Sequence, residues 1–176
     1  MDIATWAFSE DDGVPNNPAL PLVLYRGAVD PGVERDLAVA FETRFKRAGW
    51  GGGWRNGIYA FHHFHSTAHE VLGIARGEAT VRFGGETGDT VEVRAGDAVV
   101  IPAGVGHKRL SASGDLLVIG AYPAGQAVDL VREGEGDRSA LLRRINAVAL
   151  PDRDPITSAE GPLLEIWQRA AGTEPS

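Results

Sequence analysis

The chain has 176 residues, 43% of them hydrophobic and 23% charged, and a formal net charge of −7. That length and balance fit one acidic, soluble domain and supply no basic block of the kind that holds nucleic acid. There is no cysteine, so disulfides, thiolate metal sites and cysteine nucleophiles are excluded, and the composition is compatible with the cytoplasm.

Met1 to Trp6 carries neither a basic region nor a long apolar run, so neither a signal peptide nor a membrane anchor is expected. Residues 10 to 21 are rich in Asp, Asn, Gly and Pro, which predicts an extended leader. Leu22 to Tyr25 reads as an outer strand. A helix is predicted from Asp30, with Asp30 as N-cap, Pro31 at the first position, an apolar stripe of Val33, Leu37, Phe41 and Phe45, and Gly49 as C-cap. Such a stripe docks on the outside of a larger body. Trp50 to Trp54 encloses three glycines and reads as a flexible loop anchored by its aromatics, with the makings of a lid. It lacks the Gly-x-Gly-x-x-Gly pattern of a dinucleotide site.

From Glu70 to Ala121 the chain reads as short strands: Glu70 to Ala75, Ala79 to Phe83, Thr90 to Arg94, Ala98 to Ile101, Lys108 to Ser111 and Leu116 to Ala121. Glycine-containing turns separate them, which indicates a β-sandwich or barrel. Beyond Tyr122, Asp129 to Asp137 is charged, Ser139 to Val148 predicts a short helix and Pro162 to Ala170 a final one.

Chemistry concentrates between Gly57 and His107. His63 and His65 fall two apart on a predicted strand, so both imidazoles project to one side, about 6 to 7 Å apart. Glu70 opens the next apolar run on the face of Leu72 and Ile74, and His107 arrives from a distant strand. Three imidazoles and a carboxylate suit one divalent transition metal: iron, manganese, nickel, cobalt or zinc. By strand parity Tyr59 and Phe61 share the face of His63 and His65, and Arg109 and Ser111 that of His107. Tyr59, Phe61 and Arg109, together with His69 as the neighbour of Glu70, are the candidates for the substrate pocket. His69 competes with Glu70 for the metal because a one-residue change of register exchanges them. His62 alone reads as structural. His69-Glu70 is not the helical zinc motif, since Gly73 stands where its second histidine belongs.

These residues resemble the cupin superfamily. Gly57, His63, His65, Glu70 and Gly77 match its first motif at every spacing, and Gly96, Pro102, Gly104 and His107 match its second, with Ser111 in place of the closing Asn. Further segments, including Asn16 to Pro18, Leu20 to Gly27, Trp54 to Gly57 and Tyr122 to Gln126, look like the YjlB-type single-domain cupins of bacteria. The resemblance implies an all-β cupin double-stranded β-helix, or jelly-roll barrel, with flanking short helices. One domain would span residues 1 to 176, its core barrel about 55 to 123, with an N-terminal strand and helix in 20 to 49 and C-terminal helical segments in 137 to 170.

It also implies a metal centre on His63, His65, Glu70 and His107, without specifying a reaction. A metalloenzyme acting on a small oxygen-bearing molecule, dioxygenase-like or isomerase-like, is the leading expectation. The alternative is a non-catalytic cupin that binds a small-molecule ligand through its metal. Cupin barrels commonly pair through outer strands, so a homodimer is expected, with neither nucleic acid nor membrane as partner.

Overall fold

The computed structural model describes residues 1–172. The strands are β1 (Asp2–Trp6), β2 (Leu22–Arg26), β3 (Trp50–Asn56), β4 (His63–Phe64), β5 (Glu70–Arg76), β6 (Glu78–Phe83), β7 (Asp89–Arg94), β8 (Ala98–Ile101), β9 (His107–Ala112), β10 (Leu117–Pro123) and β11 (Val131–Arg132). The helices are α1 (Leu37–Arg47), α2 (Arg138–Ala147) and α3 (Pro162–Ala170). The strands form two antiparallel sheets, one in the order β1-β2-β8-β5-β10-β3 and the other β11-β4-β9-β6-β7. Face to face, they make an all-β jelly roll.

Period-two alternation divides the core into two layers. Leu22 and Leu24 of β2, Leu72 and Ile74 of β5, and Val99 and Ile101 of β8 pack between the sheets with Val81 and Phe83 of β6. Their neighbours Val23, Tyr25, Val71 and Val100 point to the other side of the six-stranded sheet, where they meet Phe41 and Phe45 of α1 and Leu163 and Trp167 of α3. Helices thus cover the outer face of this sheet, and its central strands read as continuous apolar runs because both of their faces are buried. Each large side chain in these layers stabilises the fold by roughly 1.5–3 kcal/mol through burial. Gly73 sits where β5 passes beneath α1, and a Cβ there would lie 2.5 Å from the Phe41 ring. The missing side chain lets helix and sheet approach.

Two expectations from sequence need correction. The helix starts at Leu37 and not after Asp30, because Asp36 is the residue whose carboxylate accepts from the backbone N–H groups of Ala38 and Val39. Asp30 instead closes a tight turn, accepting from Gly32, Val33 and Glu34, and Val33 is left 75% exposed outside the helix. Trp50 to Trp54 is not a loop but the first part of β3, an edge strand paired with β10. Trp50 is buried and its Nε1 donates to the Arg153 carbonyl, so a strand pinned at this point does not move as a lid. The strand β1, paired along β2, is an addition to the elements that the sequence predicts.

Candidate metal centre

Three histidines converge where the two sheets meet. His63 on β4 stands directly opposite His107, the first residue of β9, and their ring centroids are 4.0 Å apart. His65 follows one residue beyond β4, with its ring 6.0 Å from that of His63 and 5.7 Å from that of His107. One ring nitrogen from each lies within 4.8 Å of the other two, and all three residues are buried. Glu70 comes from the opposite sheet. As the first residue of β5 it shares the inward face with Leu72 and Ile74, so the strand alternation that builds the core also carries the carboxylate to the imidazoles.

Each histidine is oriented through its other nitrogen. Nδ1 of His63 lies 3.0 Å from the Phe61 carbonyl, Nδ1 of His107 lies 3.1 Å from that of Val105, and Nδ1 of His65 contacts the carbonyl of Asp129. A carbonyl oxygen only accepts, so each Nδ1 carries a hydrogen and each ring turns its Nε2 inward, where a neutral imidazole offers a lone pair. Oε2 of Glu70 sits 3.0 Å from Nε2 of His65 and 3.3 Å from Nε2 of His107. Lone pairs facing a carboxylate at those distances repel unless a cation lies among them, either a proton or a metal ion. The residues therefore fit a bound metal, with carbonyls behind the rings in the manner of metal-ligating histidines.

The electrostatics reflect this crowding. Burial, and after it His107, push the His63 pKa down to about 3. Burial also opposes charge on His65, but the neighbouring Glu70 and further hydrogen bonds outweigh it and raise that pKa. Glu70 is itself fully buried, yet His65 and His107 hold its pKa well below the usual carboxylate range.

The loop before His107 is latched by the N-terminal leader. The backbone N–H of Gly104 donates to the His65 carbonyl at 2.7 Å, Asn17 donates to the Ala103 carbonyl at 2.9 Å, and the Asn16 carboxamide accepts from Gly106 at 3.2 Å while donating to Ser9 and Gly84.

Comparison with known proteins places this arrangement. The cupin domain family matches residues 54–119. The chain is 45% identical over 163 residues to YjlB of Bacillus subtilis (strain 168), an uncharacterized protein, covering 93% of this chain and 95% of that one. The chain is a YjlB-like single-domain cupin. Among solved structures it is similar to acireductone dioxygenase from Bacillus anthracis with a cadmium ion in its active center (13% identity, 61% of this chain and 82% of that chain, TM-score 0.41). It is also similar to a DUF861 family protein from Thermotoga maritima (22% identity, 51% and 92%, TM-score 0.31). A variant of Bacillus subtilis oxalate decarboxylase matches at 17% identity and TM-score 0.37 over 68% of this chain, which spans only 29% of that enzyme.

In this cupin the histidines and Glu70 form the floor of a cavity of about 410 Å3. Tyr59 is 52% exposed at its mouth, and Arg109 lines its wall. Two other pocket candidates do not line it. Phe61 stacks on Tyr59 with centroids 4.8 Å apart, and the Arg132 guanidinium lies 3.9 Å from its ring centroid. The segment from Gly57 to Phe61 is irregular and not strand, so two-residue parity fails there. His69 has the parity of Val71 and turns to the outer face of the sheet, its ring 4.7 Å from Trp167 and its Nδ1 accepting from the Ala103 N–H. Ser111 also departs from His107, because the pairing of β9 with β6 shifts between Arg109 and Ser111. Such a bulge re-aims the residues beyond it. His62 bonds Glu86 at 2.6 Å, away from the cavity.

Several cavity residues carry no signal in the sequence, among them Trp54, Tyr122 and Asp129. Trp54 donates through Nε1 to the Tyr122 hydroxyl at 2.9 Å, and burial and then the charge of nearby Glu70 push the Tyr122 pKa up to about 12. Asp129 lines the cavity too, its carboxylate held by the backbone N–H and hydroxyl of Ser66. Tyr122 and Asp129 lie in segments where no periodicity marks a face.

Proposed function

We propose that this cupin holds one divalent transition metal on Nε2 of His63, His65 and His107, with Glu70 as the fourth ligand, and works as a metalloenzyme on a small oxygen-bearing molecule. The observation that carries this is the buried Glu70 carboxylate set 3.0 and 3.3 Å from the Nε2 atoms of two imidazoles whose other nitrogens are already engaged by carbonyls. When bound, such an ion supplies Lewis acidity and, if redox-active, chemistry with dioxygen.

The chain's own residues favour a dioxygenase-like over an isomerase-like reaction. Isomerisation by a protein base needs a free basic group near the substrate. Glu70 is committed to the imidazoles. Asp129 is committed to Ser66, whose hydrogen bonds outweigh the effect of burial and lower its pKa. Tyr122 keeps its proton at neutral pH. The same reading takes the chain as a cytoplasmic homodimer, on its cysteine-free composition and the open edge of β1. A monomeric mass in gel filtration would remove the dimer.

Metal analysis of the purified protein, with calorimetric titration of zinc and manganese, tests the centre. One ion per chain is expected, lost in His63→Ala and His107→Ala. A wild-type chain that takes up no ion ends the reading. Oxygen consumption by iron-loaded protein across a panel of small oxygen-bearing compounds then separates the enzyme from a ligand-binding role: binding without turnover would favour the latter.

A further inference from the structure

We infer that the ligand of this cavity carries a carboxylate and that Arg109 receives it. The inference rests on the metal reading for one end of the ligand and on Arg109 alone for the other.

Arg109 is partly buried in the cavity wall. Its backbone is fixed, with the N–H donating to the Tyr59 carbonyl at 2.9 Å. Among the described residues its guanidinium has no hydrogen-bond or ion-pair partner. Other partly buried arginines find theirs: Arg26 pairs with Asp97, Arg82 with Glu86, and Arg138 donates to the carbonyls of Asp11, Asp12 and Val14. A guanidinium presents five N–H donors in a planar fork that matches a carboxylate with two parallel bonds. Left without such a partner beside a cavity, it is a ready site for one.

Charge points the same way. The lining holds two carboxylates, Glu70 and Asp129, and one guanidinium, Arg109. With neutral imidazoles the empty lining is one charge negative, and a divalent ion makes it one charge positive. A ligand with a single negative charge neutralises it. A phosphate dianion would overshoot, and among the described residues no second Lys or Arg lines the cavity to hold one.

Geometry sets the rest of the ligand. Arg109 is two residues from His107 on the cavity side of β9, about 6 to 7 Å along the strand. Ile58, Leu72, Val128 and Leu130 supply apolar wall. The volume of about 410 Å3 falls within the roughly 300–1,000 Å3 of small-molecule sites. A monocarboxylate with a compact apolar body meets all of these constraints.

Calorimetric titration of the zinc-loaded and metal-free protein with phenylacetate and its uncharged counterpart phenylacetamide tests this. The acid should bind zinc-loaded protein at least ~10-fold more tightly than the amide, with a smaller preference in the metal-free form. Arg109→Gln should abolish the preference while still binding one zinc per chain, which also establishes that the variant folds. Arg109→Lys should keep part of it. Equal affinity for acid and amide, or no binding of the acid at millimolar concentration, overturns the inference. So does a preference that survives Arg109→Gln, which would assign the carboxylate to the metal. Zinc stoichiometry is read separately, so a wild-type chain that binds no zinc but still prefers the acid through Arg109 sinks the metal reading and leaves this one standing.

Discussion

Asp129 fixes His65 across 64 positions of chain through its main chain and not its side chain. Its carbonyl accepts from Nδ1 of His65, while its carboxylate accepts from the Ser66 backbone N–H at 2.6 Å and from the Ser66 hydroxyl. One residue therefore clamps the histidine and the turn that follows it. Asp129→Ala removes the two Ser66 bonds and releases the carbonyl, so zinc affinity should fall by about 10- to 100-fold. Asp129→Asn, which keeps an acceptor for the Ser66 N–H, should lose less. Calorimetry of both variants checks the order, and unchanged affinity in Asp129→Ala would mean that His65 needs no help to point inward.

A second buried clamp lies on the far side of the six-stranded sheet, where Tyr25 donates to Asp154 at 2.6 Å. The same carboxylate accepts from the backbone N–H groups of Ile156, Thr157 and Leu163, and so ties β2 to the start of α3. Tyr25→Phe deletes one of four bonds and should cost about 1–2 kcal/mol in urea unfolding. Asp154→Ala strands three backbone donors and a phenol and should cost about 3 kcal/mol or more. Metal affinity should hold in Tyr25→Phe, since the clamp lies behind the sheet.

Acid should destabilise the metal-free protein through His69. Burial pushes its pKa from the ordinary 6.5 down to about 4, so between those values the unfolded chain binds a proton that the folded chain does not. Its contribution is complete above pH 6.5 and is lost as the pH falls through 4, up to about 3 kcal/mol. His63, pushed down to about 3, acts with the same sign. His69→Asn keeps an acceptor for the Ala103 N–H but does not titrate there. Its stability should fall less steeply with acid, by about one proton's worth of slope. Parallel curves for the two proteins would show that His69 titrates alike in both states.

What the sequence reveals depends on how each residue does its work. His63, His65, Glu70 and His107 act through side chains at spacings that strand geometry repeats, and the strands β5 to β10 announce themselves by alternation between glycine turns. The clamp on His65 is a main-chain carbonyl of Asp129, and any residue has one, so no residue type records it. Trp54 follows three glycines that break the alternation of β3, which hides a strand inside an apparent loop. His69 is a pocket candidate only through its adjacency to Glu70, and adjacency on a strand puts two residues on opposite faces, so its ring meets Trp167 behind the sheet. Arg109 and Ser111 part company at a bulge that two-residue counting does not register.

Gly120 tests whether the cavity wall is set by packing. A Cβ at this position on β10 would lie 2.1 Å from Cε2 of Trp54, whose indole N–H holds the Tyr122 hydroxyl. The φ of Gly120 is not in the left-handed region, so Gly120→Ala acts through steric conflict and not backbone strain. Overpacking of this kind costs about 1–3 kcal/mol, and the displaced indole should alter tryptophan fluorescence. In a Trp54→Leu background the smaller side chain leaves room for the methyl group. The cost of Gly120→Ala should then fall below about 0.5 kcal/mol, a non-additivity that contact between the two positions requires. An equal cost in both backgrounds would place the conflict in the β10 backbone. It would also separate the packing of Trp54 from the hydrogen bond that its indole makes with Tyr122.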